Sequence, residues 1–66
     1  MYKKLRGRIV EKYGTIKTFA HSIGMSSTAV YLKLSGRTSF DTDSIRRWCE
    51  ALEIPIEDAG VYFFDF

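Results

Sequence analysis

Residues 15–37, with the sequence TIKTFAHSIGMSSTAVYLKLSGR, decide the fold of this 66-residue chain. Phe19 and Ala20 lie at helical spacing from further apolar residues and predict one apolar helix face. Gly24 follows, at a position where a tight turn needs the positive φ that a side chain resists. Val30 then directs the inner face of a second short helix back towards the first. The pattern predicts a helix-turn-helix, and the same spacing also fits any helical hairpin with a glycine turn.

Length and composition indicate one small globular domain. The chain is 45% apolar, which supplies a compact core and is too much for a disordered segment. Its single cysteine, Cys49, excludes an internal disulfide and favours a reducing compartment. No apolar run reaches transmembrane length, and the first residues lead into no signal-peptide core. We therefore expect a cytoplasmic protein with no membrane association.

The charge is distributed unevenly, although the net charge is only +2. Residues 1–38 hold eight basic residues against one acid, a net charge of +7. Residues 39–66 hold two basic residues against seven acids, a net charge of −5. Because the basic half contains the predicted helix-turn-helix, it favours a nucleic-acid partner, with a solvated charged surface as the alternative.

Apolar periodicity extends the helical prediction over most of the chain. Four helices are predicted, over residues 2–13, 16–23, 27–35 and from residue 42 to the region before Pro55. Thr15 caps the second helix, Ser26 or Ser27 the third, and Asp41 or Thr42 the fourth. Pro55 ends the fourth helix and is suited to the first position of a short fifth one.

The last six residues, VYFFDF, form an aromatic tail that we separate from the helix-turn-helix domain of residues 1–60. Four aromatic side chains at a chain end are costly to leave in water. Two arrangements explain them, and both can hold at once: Tyr62 and Phe63 complete the core of the domain, and the tail contributes to a dimer interface. The residues assigned to that interface are Tyr62, Phe63, Phe64 and Phe66.

The whole pattern resembles the lambda-repressor/Cro-like helix-turn-helix family, and most of all its short Cro-like phage regulators. The resemblance covers residues 3–58, and the segments that carry it are 15–20, 24–26, 30, 34–37 and 45–58. It implies an all-α fold, a compact four- to five-helix lambda-repressor-like bundle containing the helix-turn-helix. It also implies a sequence-specific DNA-binding transcriptional regulator, a homodimer on double-stranded operator DNA. The third helix of each subunit would enter the major groove, with half-sites about 34 Å apart.

The resemblance assigns DNA contacts residue by residue. The residues implied to face base edges are Ser27, Thr28, Leu32 and Tyr31. The residues implied to contact phosphate are Thr15, Lys17, Lys33, Ser35, Arg37 and Thr38. Each of them has an alternative role as an ordinary surface or turn residue.

The chain departs from the family pattern in three respects. Ile16 stands where many members carry a polar residue that contacts phosphate. Ile9 and Leu34 replace a buried arginine–glutamate pair of some members, and we expect them to pack together. Lys33 occupies a position that is commonly apolar. We expect its stem to cover the edge of the core and its ammonium to reach solvent or phosphate.

A second function fits the same fold: a protein-interaction module that binds another regulator, in the manner of an antirepressor. Leu32, Tyr31 and the aromatic tail would form its contact surface. The small net charge of +2 favours this alternative. So does the scarcity of arginine, glutamine and asparagine on the exposed side of the third helix.

We expect no enzymatic activity, no metal and no cofactor. His21 stands alone, without a second histidine or a cysteine at ligand spacing, and is predicted at the surface of the second helix. Cys49 lies on the apolar stripe of the fourth helix and is predicted as a small core residue. Glu57 and Asp58 are adjacent acids that are typical of a helix start.

Overall fold

Helices make up the regular structure of residues 1–64, the part of the chain that the computed structural model describes. They are α1 (Lys3–Tyr13), α2 (Ile16–Ser22), α3 (Ser27–Leu34), α4 (Thr42–Leu52) and α5 (Ala59–Phe63). A 3-10 turn, Ile56–Asp58, leads into α5, and no strand occurs within these 64 residues. The predicted all-α fold is confirmed, and the boundaries predicted for α1, α2 and α3 agree to within one residue.

The helices of the helix-turn-helix begin at side-chain caps. The Thr15 hydroxyl accepts a hydrogen bond from the N–H of Thr18 at 3.1 Å, at the start of α2. The Ser26 hydroxyl accepts one from the N–H of Ala29 at 3.1 Å, at the start of α3. These bonds satisfy N–H groups that the first turn of a helix leaves without a partner. The cap predicted at Thr15 is confirmed, and Ser26 is the cap of α3.

The cap of α4 is a carboxylate. Asp41 accepts a hydrogen bond from the N–H of Ser44 at 2.8 Å. Hydrogen bonds from the side chain and backbone of Ser44 hold the pKa of Asp41 below its usual value, with a smaller contribution from the Lys33 ammonium. Asp41 therefore fills the cap position that the sequence left open between it and Thr42.

The turn between α2 and α3 has the geometry that the sequence predicts. Gly24 has a φ of 73°, in the left-handed region that glycine adopts without strain. The N–H of Met25 donates to the carbonyl of Ala20 at 2.9 Å, and Met25 packs partly buried against the core. Ala20 itself is buried, so a small side chain lies where the two helices pack.

Aromatic rings fill the centre of the core. The buried ring of Trp48 lies 4.9 Å from the rings of both Phe19 and Phe40, measured between centroids. Phe40 is also 5.0 Å from Phe63. These pairs meet edge to face, a geometry that aromatic rings favour. The cluster therefore joins α2, α4, α5 and the α3–α4 connection into one core.

Aliphatic side chains surround this cluster. Ile9 and Leu34 are both fully buried, and Ile16 is buried at the start of α2. No charged side chain of residues 1–64 is buried. Ile9 and Leu34 are thus core residues in place of an ion pair, and their packing against each other stays a prediction.

Side chains of α1 cover the carboxyl end of α4. The Tyr13 hydroxyl donates to the carbonyl of Ala51 at 2.7 Å, and Arg8 Nε donates to the carbonyl of Leu52 at 2.9 Å. Lys12 forms an ion pair with Glu53. Arg8 and Lys12, which the sequence analysis counted as positive charge, therefore bind the end of α4.

The aromatic tail is divided among three environments. α5 runs through residues 60 and 61, where the sequence suggested a boundary, and buries Phe63 to 1% exposure. Tyr62 is partly buried against the core, and Phe64 is 61% exposed. Phe66, also assigned to a dimer interface, lies outside the described residues. The assignment of Phe63 to that interface is corrected, because the single chain already encloses its ring.

Cys49 and His21 occupy the places predicted for them. Cys49 is buried on α4, and this burial raises the pKa of its thiol. His21 is exposed on α2. Within residues 1–64, every helix is too short or too polar to span a bilayer.

Candidate functional site

α3 presents one exposed side to solvent. Val30 and Leu34 are fully buried. Thr28, Leu32 and Ser35 lie on the opposite side of α3, with Tyr31 at the edge of that side and Ser27 in the first turn. We name this surface the α3 face, and its members are Ser27, Thr28, Tyr31, Leu32 and Ser35. Tyr31 is 49% exposed and is the large side chain at the edge of this face.

The α3 face carries no charged side chain. Lys33 is the only charged residue in α3, and its ammonium donates to the carbonyl of Ser39 at 2.8 Å. The same ammonium lies 5.2 Å from the centre of the Phe40 ring. Lys33 was predicted to reach solvent or phosphate, and instead it binds the α3–α4 connection. Its stem accordingly lies beside the partly buried Phe40, at the edge of the core.

Two hydroxyls assigned to phosphate are engaged within the chain. The Ser35 hydroxyl donates to the carbonyl of Leu32 at 3.0 Å. The Thr15 hydroxyl, besides capping α2, donates to the Thr18 hydroxyl at 2.9 Å. Both bonds are local and satisfy the group that makes them. Neither hydroxyl is directed by the fold towards an external ligand.

The remaining residues assigned to phosphate stand at the surface on either side of α3. Lys17 is exposed in the first turn of α2. Arg37 and Thr38 are exposed after α3, and the N–H groups of both donate to the carbonyl of Leu32. Among residues 1–64, neither Lys17 nor Arg37 takes part in an ion pair. Both cations are therefore exposed and outside the ion pairs of the described residues.

Contacts within the chain hold some of the basic side chains of residues 1–38. Arg8 binds the carbonyl of Leu52 and pairs with Glu11, and Lys12 pairs with Glu53. In the second half, the guanidinium of Arg47 donates to the carbonyl of Ile23 at 2.9 Å. Counting charges along the sequence therefore overstated the cationic surface around the helix-turn-helix.

A second surface feature was not predicted from the sequence. A groove of about 280 Å³ opens where the start of α1, the α3–α4 connection and α5 meet. We name it the aromatic groove, and its walls include Met1, Tyr2, Gly36, Phe40, Phe63 and Phe64. One of these parts, the apolar tail, was recognised in the sequence. No local pattern in the sequence predicts that the parts of this groove come together, because they are far apart along the chain.

Comparisons with known proteins place the chain near a phage protein. A family model described as "Protein of unknown function (DUF739)" matches residues 1–66. Among solved structures, the chain is similar to the solution structure of the modulator of repression (MOR) of the temperate bacteriophage TP901-1 from Lactococcus lactis. The TM-score is 0.87 and the identity 38%, over 97% of this chain and 86% of that one. No curated protein matches the chain.

These findings correct the family and the function predicted from the sequence. The family model that matches is DUF739 and is not a lambda-repressor/Cro-like one. The similar solved protein is a modulator of repression, so a DNA-binding regulator that occupies an operator is the wrong conclusion. The error has a physical origin, since the spacing of residues 15–37 specifies how two helices pack and leaves open what their exposed side binds.

Proposed function

We propose, from the premise that this chain belongs to the DUF739 family of proteins of unknown function, that it modulates repression by binding a repressor protein. The α3 face is the contact surface of this proposal. The chain acts as a phage-related protein-interaction module, and the complex forms in the cytoplasm. No catalytic step and no cofactor enters the proposal.

The observation that carries the proposal is the uncharged α3 face. DNA binding depends on cations that neutralise phosphates, whereas the only cation of α3 is held by Ser39 and Phe40. The centre of a protein–protein interface is depleted in charge and enriched in tyrosine. Tyr31, which is 49% exposed, contributes such a ring to the α3 face.

Similarity to a modulator of repression supports the choice of a repressor as the partner. The likeness extends over 97% of this chain at 38% identity. The modest net charge of +2 is also compatible with a protein partner.

The test is calorimetric titration of the full chain with the repressor protein encoded in the same genome. Tyr31→Ala and Leu32→Ala should each weaken binding by about tenfold, since an aromatic or aliphatic anchor at an interface centre is worth on the order of 1–2 kcal/mol. Val10→Ala is the matched control: Val10 is 52% exposed, on α1. It should leave the affinity unchanged.

Salt provides an independent criterion. Binding through the α3 face should change by less than about threefold between about 50 and about 500 mM salt, whereas DNA binding falls steeply over that range. Equal losses in Tyr31→Ala and Val10→Ala would contradict the assignment of the α3 face. Salt-sensitive binding of this chain alone to operator DNA, with no complex with the repressor, would contradict the proposed function itself.

A further inference from the structure

The aromatic groove has the size of a side-chain pocket. Its volume of about 280 Å³ lies just below the range of about 300–1,000 Å³ found for sites that hold whole small ligands. Met1 and Phe64 stand at its edge, each 61% exposed. A large apolar residue exposed beside an apolar groove is costly in water and is typical of an interaction surface.

Several cations are next to residues that line this groove, along the chain or in contact with them. Lys33 binds Ser39 and lies over Phe40, two residues that line it. Arg37 lies between Gly36 and Thr38, which also line it, and is exposed.

Lys3 and Lys4 follow directly after Tyr2 and are exposed in the first turn of α1. Within residues 1–64, no carboxylate forms an ion pair with Lys3, Lys4 or Arg37.

The lysines of α1 stand in an electrostatically unfavourable place. The amino end of a helix carries partial positive charge, which favours acidic side chains, and the first turn of α1 has none. The acid that follows Phe40 along the chain, Asp41, is directed to the N–H of Ser44. Nothing in the described residues therefore compensates these cations, and an anionic partner would.

The ring geometry favours a peptide over a nucleic acid. Bases stack on open aromatic faces, and Phe40 is enclosed by Tyr2, Trp48 and Phe63 at centroid distances of 5.3, 4.9 and 5.0 Å. Phe63 is itself buried. Only Phe64 offers an open ring, which is too little for a stacking surface.

We propose that the aromatic groove, with Lys3, Lys4 and Arg37 beside it, binds a short acidic segment of a protein that inserts an apolar side chain. The apolar side chain fills the groove beside Phe64, and the flanking carboxylates pair with the cations. This surface is separate from the α3 face, and the inference does not rest on the proposed function.

The probe is a blocked hexapeptide with two phenylalanines between acidic pairs (EDFFDE), titrated into the full ¹⁵N-labelled chain. Saturable amide shifts should appear at Gly36, Thr38 and Phe64, with a Kd of about 1 mM or tighter. Phe64→Ser should weaken binding by about tenfold. The double variant Lys3→Glu with Arg37→Glu should weaken it by about three- to tenfold.

Lys17→Glu is the charge control for each single substitution, Lys3→Glu and Arg37→Glu, because Lys17 follows the carboxyl end of α1 and the groove lies at the amino end of α1. It should leave binding unchanged, as should Tyr31→Ala on the α3 face. Control peptides with serines for the phenylalanines (EDSSDE) or lysines for the acids (KKFFKK) should not bind. All variants alter exposed residues, and circular dichroism verifies that they fold.

Three results would overturn the inference. The first is equal binding of the EDFFDE and KKFFKK peptides, which would remove the role of the cations. The second is amide shifts confined to residues outside the groove. The third is tighter binding of a single-stranded oligothymidine of about ten nucleotides than of the EDFFDE peptide, which would make this a nucleic-acid surface.

Discussion

Arg8 binds the carbonyls at the end of α4 from a neighbouring helix. α4 has no basic residue in its last turn, and it ends at Glu53, a non-glycine residue with a φ of 54°. Arg8 donates to the carbonyl of Leu52 at 2.9 Å and to that of Glu53 at 3.4 Å. One side chain of α1 thus satisfies carbonyls that would otherwise depend on water.

Replacing Arg8 by methionine should therefore destabilise the protein while keeping an unbranched stem. Loss of charge-assisted bonds to main-chain carbonyls is expected to lower the free energy of unfolding by about 1–2 kcal/mol. Urea unfolding followed by circular dichroism measures this change. Arg6→Met is the control: Arg6 is exposed and makes no ion pair within residues 1–64. A loss in Arg6→Met as large as that in Arg8→Met would contradict the capping role.

α3 depends on its neighbours more than on its own sequence. Its serine, threonine and β-branched valine are mediocre helix formers, and it has only eight residues. Isolated helices of this length are marginal in water. The helix is fixed by the cap at Ser26 and by the burial of Val30 and Leu34, so its exposed side is free to vary with function.

At the level of α4, the Asp41 cap should make stability depend on pH. Its pKa is lowered in the folded state, so the stabilisation is present above the unfolded value near 3.8 and is lost as pH falls through the folded value. Asp41→Asn retains a capping side chain and removes the titration. The melting temperature of the unmodified protein should therefore fall towards that of Asp41→Asn between about pH 5 and about pH 2.

Thermal unfolding of both proteins across this pH range is the measurement. Ser44→Ala is the companion variant, since it removes the side-chain hydrogen bond to Asp41 and leaves the N–H bond. Its pH dependence should be weaker than that of the unmodified protein. A constant difference between the unmodified protein and Asp41→Asn at all pH values would show that the charge of Asp41 contributes nothing.

The molecule as a whole is closed by α5. Phe63 reaches Phe40 and lies 6.4 Å from Trp48, so a residue near the end of the chain completes a core that begins with α1. Phe64, the next residue, is outside that core. Adjacent aromatic residues thus have different roles, one in stability and one at the surface.

Truncating the two rings separately should reveal this difference. Phe63→Ala is expected to lower the free energy of unfolding by about 3–5 kcal/mol, the usual cost of deleting a buried aromatic ring. That loss is a large share of the total for a small domain. Phe64→Ala should change it by less than about 0.5 kcal/mol. Urea unfolding compares them, and sedimentation shows whether either alters the oligomeric state. The reverse order of stabilities would refute the placement of Phe63 in the core.

The family assignment failed at this largest scale for a definable reason. The uneven charge along the sequence suggested a cationic DNA-binding surface. In the structure, however, Arg8, Lys12 and Lys33 form contacts within the chain. Charge counted along a sequence carries no information about which cations remain free. The sequence shows that the exposed side of α3 carries no charge. The contacts of Lys33 with Ser39 and Phe40 show in addition that the one cation of α3 is held within the chain.

The sequence by itself determined the helices, their caps and the glycine turn, because these depend on residues within a few positions of one another. It also determined that Ile9, Phe19 and Leu34 are core residues, since apolar periodicity fixes which side of a helix is buried. Only the tertiary structure decided which cations form contacts within the chain, that Phe63 is buried while Phe64 is exposed, and that a groove forms between α1 and α5. Those outcomes depend on contacts between residues far apart along the chain, which local spacing does not encode.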